Sequence, residues 1–197
     1  MSIDVKIIDW TTVLADWKDS EEEIWRSHYT ERGYDSWWQW RKTYSAEFDL
    51  PARRWTEEIV EDPHDVIPAI KIGGYRGWKI YRPAGLEIAT FADIARHIVA
   101  GELSILGELR IDVRTNEKVK NRAGNLHDTT LLVLRSGDFT VLLDGTHRAA
   151  AIAVEAIDDI KSSLKVTLRV CHFDDSERSL LEKFAKDRRY VVKKKND

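Results

Sequence analysis

The sequence predicts an α+β fold, a mixed-sheet core preceded by a Trp-rich helical extension. Three observations carry this prediction. Two apolar, β-compatible runs, Thr130 to Leu134 and Phe139 to Leu143, are joined by Arg135-Ser136-Gly137-Asp138 and read as a hairpin. Helical patterns stand on both sides of that pair, so strands and helices interleave in the second part of the chain. The first 62 residues differ in kind: they hold 15 acidic and 8 basic side chains, a balance of −7 against +4 for the remainder, and seven of the eight Trp.

Taken in order, residues 1–62 read as helices. Ser20 with Glu23, and Ser36 with Gln39, have the capping-box spacing in which side chain and backbone satisfy each other's free N–H groups. Ile24, Trp25, His28 and Tyr29 recur at helical spacing, as do Trp37, Trp40, Arg41 and Tyr44, and Gly33 between them is a natural stop. Pro63 disfavours helix before it, which makes Glu61-Asp62-Pro63-His64 the junction. Beyond it, Ile67 to Ile72 and Trp78 to Tyr81 are predicted as short strands around Gly73-Gly74-Tyr75-Arg76-Gly77, a glycine-rich stretch that reads as a hairpin turn. Thr90 with Asp93 caps a helix to about Ala100, with Phe91, Ile94, Ala95 and Ile98 on its apolar side. After the hairpin come an Ala-rich helix over Ala149 to Ala156, a strand over Leu164 to Val170 and a helix over Ser176 to Arg188. The organisation expected is therefore a helical extension (1–62), a core (63–187) and a basic tail (188–197) whose Lys193-Lys194-Lys195 run is solvated.

Composition excludes several classes. A chain of 197 residues is ample for a hydrophobic core, and a net charge of −3 argues against a uniformly basic nucleic-acid binder. The single Cys, Cys171, rules out an intramolecular disulfide and a Cys-rich zinc motif, and its place on an apolar strand reads as packing. No two of the six His fall at metal-ligand spacing on one helix. The apolar runs Leu131 to Leu134 and Ala149 to Val154 are too short to span a bilayer, and Met1 to Trp10 lacks the pattern of a signal peptide, so the expectation is a cytoplasmic protein without a membrane partner. The Trp-rich stretch Tyr34 to Arg41 reads as core packing, because its acidic surroundings repel a phosphate backbone.

One segment carries chemical information: Phe139 to Asp144, Gly145-Thr146-His147-Arg148, then Ala149 to Ala151, read as strand, glycine turn and helix. Gly145 lets the chain turn sharply and brings backbone N–H groups close to anything bound there. The first turn of the helix presents N–H groups and the positive end of the helix dipole, and His147 and Arg148 add two side-chain donors at the same place. Together they read as an anion site suited to phosphate. Asp144 ends the strand beside it, where a carboxylate can hold a metal or accept a proton. The plain alternative is an Asp-Gly turn in which Asp144 or Thr146 caps the helix and His147 and Arg148 are solvated.

The string Asp144-Gly145-Thr146-His147-Arg148, followed by its Ala-rich helix, resembles the signature of the ParB/sulfiredoxin-like superfamily, nearest in form to the Asp-Gly-x-His-Arg variant of the free-serine kinase branch. The resemblance spans roughly residues 125–155. It implies a ParB/sulfiredoxin-like core, nucleotide phosphates held by Gly145, Thr146, His147 and Arg148, and catalytic roles for Asp144, His147 and Arg148. ATP or another nucleotide with Mg²⁺ is the implied cofactor, Asp144 being the implied metal ligand. Thr146 stands where a sulfiredoxin carries its Cys, so repair of oxidised peroxiredoxin is not expected. About 45 residues follow Ala151, too few for a completed core and a helix-turn-helix region together, so centromere binding is not expected either. The serine-kinase branch places an acidic base upstream in a His-Glu context, and the nearest strings here are His64-Asp65 and His127-Asp128. The expected function is a nucleotide-dependent phosphotransferase or nucleotide phosphohydrolase, its partners a nucleotide and a small-molecule acceptor. The alternatives are a ParB-like nucleic-acid-binding or nuclease domain and a non-catalytic nucleotide-sensing module.

Overall fold

The structure, a computed structural model, describes residues 5–75, 78, 81–100, 119, 121–124, 126–160 and 162–186. Strands β1 (Val5–Ile8), β2 (Trp55–Val60), β3 (Thr129–Ser136), β4 (Phe139–Asp144) and β5 (Val166–His172) form one sheet in the order β1-β2-β5-β3-β4. Neighbours run antiparallel except β3 and β5, which are parallel from Thr129↔Val166 to Arg135↔His172. With helices α1 (Trp10–Thr30), α2 (Trp37–Ser45), α3 (Pro63–Val66), α4 (Phe91–Ala100), α5 (Thr146–Ile157) and α6 (Arg178–Lys186), the class is mixed α and β, as the alternation of patterns predicts.

Successive strand residues face opposite sides of a sheet, and here both sides are covered. Leu131, Val133, Leu168 and Val170 pack against Phe91 and Ile94 of α4 and the alanines of α5. Leu132, Leu134, Val141 and Cys171 pack on the other side against Trp17 of α1, Trp37 and Trp40 of α2 and Phe184 of α6. Two-sided burial is why β3 and β4 read as near-continuous apolar runs. Trp37 and Trp55 are at most 1% exposed. An indole that removes about 150–250 Å² from water contributes roughly 4–6 kcal/mol before entropy is charged against it. Trp37 and Trp40 of the Trp-rich stretch are therefore core, whereas Trp25 of α1 is 37% exposed.

Local signals explain several helix ends. Ser36 Oγ accepts from Gln39 N at 3.2 Å and starts α2. Asp93 accepts from both Thr90 N and Thr90 Oγ1, and Asp93 N donates back to Thr90 Oγ1, a reciprocal cap on α4. Gly33, in the left-handed region at φ 76°, follows the end of α1.

Four expectations are corrected. Residues 1–62 are not all helical: they supply β1 and β2, and β2 pairs with β5 over its full length, so this segment builds two of the five strands, β1 being one edge of the sheet. Covering β5 in this way removes an exposed line of backbone donors and acceptors. Ser20 does not start a helix, because α1 already runs from Trp10, capped by Asp9 accepting from Thr12 N at 2.9 Å, and Ser20 Oγ turns back to Trp17 O. Ile67 to Ile72 is no strand; Pro63 and Pro68 each sit at the start of a helical turn, and Lys71 alone makes bridges to Thr90 and Val141. Trp78 and Tyr81 lie in no strand, while residues 79 and 80, Arg76 and Gly77, and the tail 188–197 lie outside the described residues. Among the described residues no helix is long and apolar enough to cross a membrane.

Candidate anion site at the β4–α5 turn

The strand, turn and helix predicted around Gly145 are all present. β4 ends at Asp144, α5 begins at Thr146, and Ala149 N closes the first helical bond on Gly145 O at 3.0 Å. Gly145 has φ 97°, and a Cβ there would collide with Leu131 Cδ2 and lie 3.3 Å from Arg148 Nη2. Glycine is thus required twice over, by backbone conformation and by contact. As the N-cap it has no side chain with which to cap the helix, and the first-turn N–H groups of any α-helix have no carbonyl within the helix to meet. Ala149 to Ala153 are fully buried and seat the helix closely on the sheet.

The side chains converge on the turn. Arg148 folds back across Gly145, donating from Nη1 to Thr129 Oγ1 at 2.9 Å and from Nη2 to Asp144 Oδ2 at 3.2 Å, with its side chain 29% exposed. His147 is half-buried, its ring edge-on to Trp78 at 5.1 Å between centroids. Thr146 is half-buried beside it. Lys71 to Tyr75 runs along β4, with Lys71 N on Thr140 O and Leu142 N on Lys71 O, and Tyr75 OH donates to Leu143 O. Gly73 packs against β4, where a Cβ would come within 3.0 Å of Leu142 O, and Gly74 N donates to Phe184 O of α6; with Ile67 to Ile72 not a strand, the expected hairpin is not built on them, and Arg76 and Gly77 lie outside the described residues.

Two groups that sequence reasoning missed complete the site. Arg41 of α2 lies 4.0 Å from Asp144 Oδ1, and it is gripped by Glu21 of α1, with Nε donating to Oε2 at 2.6 Å and Nη2 donating to Oε1. Trp37 Nε1 donates to Glu21 Oε2 at 3.2 Å, and the Arg41 guanidinium stacks 4.4 Å over Trp40. The result is an alternating chain of charges, Glu21, Arg41, Asp144 and Arg148, spanning two layers of the fold. Burial pushes the Glu21 carboxyl up to about 7, with the charge of Asp144 adding to the rise and that of Arg41 opposing it. For Arg41, burial works against the charge, but Glu21 and Asp144 outweigh it and hold the guanidinium above its ordinary range. The signal was there to find: Glu21 falls four residues after Trp17 on the buried stripe of α1, and Arg41 four after Trp37 on that of α2. An acid and a base on two facing apolar stripes have each other as the natural partners.

The remaining candidates lie elsewhere. His64 Nε2 bonds Glu155 Oε2 at 3.0 Å, near the opposite end of α5 from the turn, beside a cavity of about 790 Å³. Asp128 accepts from Lys165 N and so ties β5 to the residue before β3. Neither upstream His-Asp string is joined to the turn by these bonds; the upstream acid at Asp144 is Glu21. Cys171 is buried, and burial pushes its thiol up, which suits packing and not nucleophilic chemistry. Among the described residues no group of three or more His, Cys, Asp or Glu side chains could hold a metal ion. In comparisons with known proteins, no family model, no curated protein and no solved structure matches the chain.

Proposed function

We propose that the protein is a nucleotide-dependent phosphotransferase or nucleotide phosphohydrolase with a ParB/sulfiredoxin-like core, holding nucleotide phosphates at the Asp144–Arg148 turn. One observation carries the reading: the Arg148 guanidinium lies against Gly145 at the start of α5, where only glycine fits. That places a planar, two-pronged cation beside the positive end of a helix dipole, the arrangement phosphoryl oxygens bind best.

In this reading Arg148 exchanges Asp144 and Thr129 for phosphate oxygens, and His147 adds a second donor from the same turn. Both neutralise charge that builds on the transferring group. Mg²⁺ is commonly held by one or two carboxylates with phosphates supplying the rest, so Asp144 fits as a single ligand to a metal that arrives with the nucleotide. When bound, the metal supplies Lewis-acid neutralisation of the phosphates. Asp144 would hold it and keep the acceptor hydroxyl oriented, while Thr146 and Gly145 offer backbone to the phosphates.

Calorimetric titration with ATP, ADP and CTP in Mg²⁺ tests the proposal. Arg148→Ala removes charge-assisted hydrogen bonds worth about 1.5–3 kcal/mol, so affinity should fall by about tenfold or more. Arg148→Lys should restore it only in part, because a point charge lacks the two-pronged geometry. Folded wild-type protein that binds none of the three nucleotides, or Arg148→Ala with unchanged affinity, removes the reading.

A further inference from the structure

We propose that Glu21 and Arg41, from the Trp-rich layer, are positioning residues of the β4–α5 turn: they hold the Asp144 carboxylate from the side opposite Arg148 and so set how readily Arg148 is released to an anion. The anion is the phosphate group of the reading above, on which this inference rests.

The two oxygens of Asp144 are divided between two cations, Oδ2 taking Arg148 Nη2 at 3.2 Å and Oδ1 facing Arg41 Nη2 at 4.0 Å. Arg41 is fixed in place. It makes two bonds to Glu21, stacks on Trp40 at 4.4 Å and has a side chain only 10% exposed. Glu21 is fixed in turn by Trp37 Nε1. A buried ion pair adds little net stability, since desolvation offsets most of the attraction. What this pair does supply is a cation pointed at Asp144. With Glu21 ionised, the four charges balance. When Arg148 turns to a phosphate without a metal, Asp144, half-buried, keeps Arg41 as its counter-ion and is not left uncompensated. Glu21 and Asp144 compete for Arg41, so the strength of the Glu21–Arg41 pair controls how much of Asp144 remains for Arg148.

The sign of each effect follows. Glu21→Gln keeps the volume and an acceptor for Trp37 Nε1, frees Arg41 for Asp144, and loosens Arg148; ATP affinity of the full chain should rise by about threefold to tenfold. Glu21→Gln combined with Arg41→Met removes the cation, leaves Asp144 wholly on Arg148, and should lower affinity by a similar factor. Both effects act through Asp144, so both should shrink to under about twofold in an Asp144→Asn background. Calorimetry with ATP in EDTA and in Mg²⁺ reads them. Effects of equal size with Asp144 and with Asn at that position, or no effect of Glu21→Gln, overturn the proposal, since a brace that merely joins two layers would act independently of Asp144. A ligand-free arm separates this failure from failure of the phosphate reading. If wild type binds no ATP, thermal unfolding of Arg148→Ala in the wild-type and the Glu21→Gln/Arg41→Met chains still decides. Positioning requires that loss of Arg148 lower the melting temperature more when Arg41 is gone, because Asp144 then has neither cation; additive shifts overturn it. Should the doubly substituted chain not fold, the same comparison with Glu21→Gln alone requires a smaller shift than in wild type, and an equal shift is the overturning result.

Discussion

Replacing Gly145 by Ala tests the geometry on which the site depends. At φ 97° an L residue is strained, which costs about 1–2 kcal/mol. The added methyl also meets Leu131 Cδ2, and Leu131 is fully buried between the sheet and its helices, so it cannot swing aside. Overpacking of that kind costs about 1–3 kcal/mol. The sum is about 2–5 kcal/mol, and at about 2–4 °C per kcal/mol for a chain of this size the melting temperature should fall by roughly 5–20 °C. Urea unfolding followed by both far-ultraviolet circular dichroism and Trp fluorescence measures the loss, coincident curves being the check on two-state behaviour. The double variant Gly145→Ala/Leu131→Ala isolates the collision. It should be more stable than the sum of the single losses by about 1–3 kcal/mol, because the methyl then occupies the space Leu131 vacates. A Gly145→Ala loss below about 0.5 kcal/mol, the range of an ordinary surface change, would refute the argument that this turn admits glycine alone.

Other outcomes follow from single groups. The Glu21 carboxyl titrates at about 7 in the fold against an ordinary 4.5, so between these values the native chain binds more protons than the unfolded one and stability falls as pH rises; Glu21→Gln should abolish that slope, a difference on the order of 2–3 kcal/mol in unfolding curves measured at pH 4.5 and pH 7.5. If wild type and Glu21→Gln keep parallel pH profiles, Glu21 is not buried beside Asp144. Cys171 should resist a thiol reagent in the native protein and react on addition of denaturing urea, since its thiol is buried and pushed up; rapid native labelling contradicts this placement. Ser36→Ala should cost about 1 kcal/mol through loss of the cap on α2, read from the urea midpoint, and a neutral result would mean that the cap is not formed.

The amino-acid sequence alone determined the parts of this protein that depend on neighbours in the chain. The β3–β4 hairpin, the glycine turn, the Ala-rich α5 and the Thr90–Asp93 cap all appear as predicted, because each is specified by spacing within about ten residues: alternation, a left-handed glycine, a hydroxyl three residues before an acid. The candidate-site residues Asp144 to Arg148 were legible for the same reason, being contiguous. Tertiary structure alone decided what β1 and β2 do, since four- and six-residue segments take strand form only once β5 offers a partner. It also decided that Arg148 folds back onto Asp144 and Thr129. The chain separates Glu21, Arg41 and Asp144 by 20 and then more than 100 residues, and no local pattern records that the apolar stripes of α1 and α2 pack on the face of the sheet beside the end of β4. Burial then gives those charges their strength, because the low polarity around Trp17, Trp37 and Trp40 leaves each charge only its neighbours for compensation.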